Sequence, residues 1–109
     1  MKKLLISALA LGTMSTSIYA GCNSNGCYDV TIDRLTITDA GKIVVGTSGN
    51  ESALACTSPA GVYMTMDNST VGKNAIFSLL LTARTTKSKI SLRIINGSPS
   101  CNIAYAFVK

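Results

Sequence analysis

The chain has 109 residues, a net charge of +5, four cysteines and no histidine or tryptophan, which leaves room for one small domain and no more. Without histidine it lacks the commonest general base and the commonest metal ligand. Its basic excess is spread along the sequence instead of forming an aromatic-lined stripe, so nucleic acid is not the expected partner.

Lys2 and Lys3 precede an apolar run at 4–11, a polar stretch at 12–17, and a small residue, Ala20, ahead of Gly21. That order is the pattern of a secretory signal. The apolar run is far shorter than the roughly 18 residues a membrane span requires. Residues 1–20 therefore read as a cleaved signal peptide and residues 21–109 as the working domain, secreted or periplasmic and without a membrane span. Ala20-Gly21-Cys22 also ends a lipoprotein box, and cleavage before Cys22 would attach a lipid there. That processing would leave an odd number of cysteines, so parity favours cleavage after Ala20, with lipidation at Cys22 as the alternative.

In an oxidising compartment Cys22, Cys27, Cys56 and Cys101 read as two disulfides. Three pairings exist. The favoured one joins Cys22 to Cys27 around Asn25-Gly26 and Cys56 to Cys101, tying the middle of the domain to its last strand. A zinc site is not expected, because paired CxxC knuckles and histidine are both missing.

Val30 and Ile32 alternate with polar neighbours, and so do Leu35 and Ile37, but the two pairs are out of phase across Asp33-Arg34. The spacing predicts one strand over 29–38 with a bulge near its middle. A turn at 39–42 and a β-branched run at 42–47 complete a hairpin. After a polar loop at 48–52, residues 54–57 read as a short third strand carrying Cys56 inward. Beyond Pro59-Ala60-Gly61, Val62, Met64 and Met66 alternate with Tyr63 and Thr65 over 62–66, as a fourth strand or a continuation of the third. The period then changes. Ile76, Leu79, Leu80 and Ala83 fall at helical spacing, broadened by Phe77 and Leu81, and predict a helix over 71–85 with Asp67, Asn68 or Ser69 as its N-cap. Arg84, Lys87 and Lys89 read as its solvated end, where the helix dipole favours cations, with an anionic-ligand site as the alternative. Strands at 90–95 and 103–108 flank a turn at 96–99. Strands, one helix, strands: the fold class is mainly β with one α-helix, a small, disulfide-stapled barrel like the oligomer-binding (OB) fold.

Catalytic signals are missing. The five carboxylates are scattered, no SxxK or Gly-Xaa-Ser-Xaa-Gly pattern occurs, and Gly46, Gly49 and Gly61 mark turns and form no phosphate loop. The sequence predicts a protein that is not an enzyme and needs no cofactor or metal. Its function reads as a non-catalytic binding module, with a structural or accessory envelope protein that docks on another protein as the alternative. Tyr63, which alternates with Val62 and Met64 and so points away from them, is the candidate ligand-binding residue, placed to stack on a sugar.

The segment from Phe77 to Arg84, the following segment from Lys89 to Ile94 and the cysteine ahead of the next strand resemble the B subunits of subtilase-cytotoxin and pertussis-like AB5 toxins. They are also similar to small secreted proteins of Gram-negative bacteria with this layout. The resemblance spans most of residues 21–109, through apolar spacing and one cysteine. It implies an oligomer-binding-type barrel, homo-oligomers that would be pentamers around helix-lined pores, and glycan binding. One position departs: the toxin subunits carry a sugar-holding serine in the first hairpin region, where this chain has Asp39-Ala40-Gly41.

Overall fold

The computed structural model describes residues 20–109; residues 1–19, where the signal pattern falls, lie outside the described residues. The strands are β1 (Gly21–Cys22), β2 (Gly26–Val30), β3 (Ile32–Ile37), β4 (Ile43–Thr47), β5 (Met64–Met66), β6 (Ile90–Ile94) and β7 (Ile103–Phe107), with one helix, α1 (Lys73–Thr86), between β5 and β6. They form a first sheet in the order β1-β2-β6-β7 and a second in the order β3-β4-β5. All pairings within the sheets are antiparallel.

The strand expected over 29–38 is in fact two, because its first half pairs with β6 and its second half with β4. The chain changes sheets at Thr31, whose N–H donates to the Ser48 hydroxyl. Out-of-phase apolar residues mark this change: the register slips between Ile32 and Arg34, and again between Cys27 and Val30, where Asp29 takes a left-handed φ of 52°. At the opposite end the sheets meet through a single parallel bridge between Thr65 and Asn102. There the Thr65 N–H donates to the Cys101 carbonyl and the Thr65 hydroxyl to that of Ser100. The two sheets do not run into one continuous hydrogen-bonded barrel. One apolar core lies between them: Val30, Leu92, Ile94 and Ile103 from the first sheet meet Val45, Met64 and Met66 from the second, all essentially sealed from solvent.

Two expectations are corrected in the middle of the chain. No strand forms at 54–57; a short 3-10 turn (Glu51–Ala53) turns Leu54 into the core, and the backbone beyond it bonds to loops. Ala55 donates to the Ser24 carbonyl, Gly97 donates to that of Ala55, and Thr57 donates to that of Ser98, so no neighbouring strand runs beside this segment. The strand expected over 62–66 is trimmed to its last three residues by a turn at Pro59–Gly61.

The helix starts two residues later than predicted, with Gly72 at its N-cap position and no side-chain cap. The residues expected to cap it tie down the turn before it. The Asp67 carboxylate accepts from the Ser69 hydroxyl and N–H, and these bonds, aided by Lys42 and Lys73, hold its carboxyl below the usual range. Asn68 Oδ1 accepts from Lys73 Nζ at 2.6 Å, and the same ammonium donates to the Gly41 carbonyl at 2.8 Å, which fastens the helix start to the β3–β4 turn. Gly41 sits at φ 84°, and a Cβ there would come within 2.8 Å of Asn68 Oδ1, so the turn requires glycine. Of the predicted helix face, Leu80 and Ala83 are buried and Ile76, Phe77 and Leu79 pack against the core, while Leu81 is largely exposed.

Both disulfides pair as favoured: Cys22 with Cys27 across β1 and β2, and Cys56 with Cys101. Two bridges in so small a domain fit an oxidising, exported environment.

Candidate functional site

Tyr63, the residue singled out for sugar stacking, is half-buried. Its ring packs over Gly46 on β4, where a Cβ would lie 3.2 Å from Tyr63 Cε1. The Arg34 guanidinium, from β3, sits 5.7 Å from the ring centroid in cation–π range. The missing side chain at Gly46 makes the space, and Arg34, the Cα partner of Gly46, closes it from the side. Tyr63 lies just ahead of β5, where the expected alternation does not hold, since Val62 is exposed and Thr65 is fully buried, and Gly46 and Arg34 from β4 and β3 occupy much of its surface.

A second aromatic surface lies on the first sheet. Tyr105 is 52% and Phe107 38% exposed, and their ring centroids are 6.2 Å apart and tilted by 39°. Register fixes what stands beside them: Tyr105 is the Cα partner of Arg93, and Phe107 that of Ser91. Leu92 and Ile94 flank Arg93 and are fully buried, so Arg93 emerges on the opposite, outer face with the aromatic pair. Arg93 forms no ion pair among the described residues. Ile95 and Val108, at the ends of these two strands, are each about half exposed. A cation next to two adjacent exposed rings can stack on an apolar sugar face and donate to its hydroxyls or acid groups. The signal was present in the sequence as two aromatics two residues apart in the last strand, but strand alternation alone does not say which face is covered.

Among the described residues no cluster of carboxylate or cysteine side chains is arranged to hold a metal, and all four cysteines are in disulfides. The one deeply buried carboxylate, Glu51, is 4% exposed. It accepts from the Thr47 N–H at 2.6 Å and the Thr47 hydroxyl at 2.7 Å. Placed in a polar loop by the sequence, it instead anchors that loop to the end of β4. The Ser58 hydroxyl lies 3.1 Å from Cys101 Sγ. No helix in the described part is long and apolar enough to cross a membrane.

No family model, curated protein or solved structure matches this chain.

Proposed function

We propose that residues 21–109 form an exported, non-catalytic binding module, secreted or periplasmic, that recognises a glycan on the outer face of the first sheet. The observation that carries this reading is the exposed Tyr105–Phe107 pair beside Arg93. Sugars present flat C–H faces to aromatic rings and hydroxyls to guanidinium groups, and this surface offers both. The paired cysteines support export, and the absence of histidine from the sequence supports a role in binding over catalysis. The strand arrangement also supports an oligomer-binding-type barrel. Two features support it: the chain passes from the first sheet to the second at Thr31, and a parallel contact joins β5 to the residue before β7. The likeness of the segments from Phe77 to Arg84 and Lys89 to Ile94 to toxin B subunits carries the proposal of homo-oligomers.

A glycan array with the oxidised domain is expected to give a discrete set of bound sugars, lost in Tyr105→Ala and retained in Tyr63→Ala. Binding that disappears only with Tyr63→Ala would return the site to the second sheet. A second reading, docking on another envelope protein, is favoured by the half-exposed Ile95, two residues beyond Arg93 at the end of β6. An empty array together with co-purification of one periplasmic protein, abolished by Tyr105→Ala, would select it.

A further inference from the structure

The helix and the last strand do not meet flush. Between the C-terminal half of α1 and the end of β7 lies a cleft of about 310 Å³, open on one side. That is at the lower end of the roughly 300–1,000 Å³ typical of small-molecule sites. Its apolar part is made by Leu79, Ala83 and Val108, of which Ala83 is buried and Val108 half exposed. Its cationic rim is Lys89 and Lys109. Lys109 Nζ already lies 3.1 Å from Asp29 Oδ2, whereas Lys89 forms no ion pair among the described residues. The hydroxyl of Thr86 is turned back to the Thr82 carbonyl and bonded to Ser88, leaving no second strong donor for a ligand. One free ammonium over a short apolar trough matches one ligand chemistry: a single anionic head on a compact apolar body.

We infer that this cleft binds a free, monomeric amphiphile with one anionic head, of the class of a medium-chain carboxylate. The apolar body lies over Leu79, Ala83 and Val108 while the head meets Lys89. The negative end of the helix dipole, at the carbonyls of the last turn, opposes an anion there. Recognition of the head therefore depends on Lys89, and the affinity falls with added salt. This site is separate from the aromatic face, so glycan binding and amphiphile binding stand or fall independently.

The test is titration of the oxidised domain with decanoate below its micelle concentration, followed by amide NMR. Saturable shifts are expected at Ala83, Ser88 and Lys89, with Lys89→Gln weakening binding at least fivefold. Thr82→Trp, a substitution at an exposed helix position on the cleft wall, is expected to fill the trough and remove the shifts. Both positions are on the surface, and an otherwise unchanged spectrum confirms that each variant is folded. Equal binding of decyltrimethylammonium, unaltered affinity in Lys89→Gln, or no shift at these amides would each overturn the inference. Co-sedimentation with phosphatidylglycerol vesicles without decanoate-induced shifts would also overturn it, since the contact would then be with a membrane surface.

Discussion

The two sheets share one core but treat their outer aromatic residues in opposite ways. Beside the second sheet, Tyr63 lies over Gly46 and under Arg34, so its ring serves the packing of β3 against β4. On the first sheet Tyr105 and Phe107 touch each other and stay open to solvent. The sheets are held differently as well. The first contains Cys22 and Cys27 and is entered through Cys101, while the second has no cysteine and is fastened by polar contacts, Glu51 to Thr47 and Lys73 to Gly41.

What the sheets share is the most sensitive point. Leu80 is fully buried beneath α1, and Leu80→Glu would place an unpaired charge in that core. The cost is several kcal/mol, comparable with the total stability of a small domain, about 5 to 15 kcal/mol. Loss of cooperative unfolding and of near-ultraviolet circular dichroism is expected. A folded, native-like Leu80→Glu protein would show that α1 does not close the core.

The next effect separates the sheets by their staples. The Cys56–Cys101 bridge spans a sequence separation of 45 and Cys22–Cys27 one of 5. Replacing Cys56 and Cys101 together by alanine is expected to cost about 2 to 5 kcal/mol, and the chain-entropy account puts the shorter bridge about 2 kcal/mol lower. Urea melts of the two double variants measure the difference. Equal losses, or a larger loss for Cys22 and Cys27, would mean that strain or residual unfolded-state structure outweighs loop length.

Much of this architecture could be read from the chain. The change from alternation to helical spacing after Asp67 marked the helix, the phase slip at Asp33-Arg34 marked the register shift in β3 but not the change of sheets at Thr31, and cysteine parity with loop lengths led to the observed pairing. What escaped the sequence depended on neighbours distant in the chain. Residues 54–57 have the composition of a strand, but their hydrogen bonds go to turns around Ser24 and Ser98, which no local pattern announces. Tyr63 and Tyr105 differ in what surrounds their rings: Gly46 and Arg34 take up much of the first, while the second stands beside Arg93 and Phe107 and stays half exposed. Glu51 is the local exception: its donors stand on Thr47, only four residues earlier, but a carboxylate in a run of serine, glycine and asparagine gives no sign of burial.

Glu51 is also where the uncrosslinked sheet can be tested alone. Its carboxylate satisfies two donors at the buried end of β4, so Glu51→Ala leaves the Thr47 N–H and hydroxyl without their acceptor. An orphaned buried donor costs about 1 to 3 kcal/mol. Glu51→Gln keeps an amide oxygen at the same reach, so it should lose clearly less than the alanine variant. Amide exchange locates the damage: protection should fall at Thr47 and Gly49 and along β3 and β4, and persist along β6 and β7, where the Cys56–Cys101 bridge holds the entry to the last strand. If Glu51→Ala loosened both sheets equally, the sheets would be one cooperative unit and the contrast in how they are held would not matter for stability. If it loosened neither, the Thr47 donors would have found water, and the end of β4 would be more open than its burial indicates.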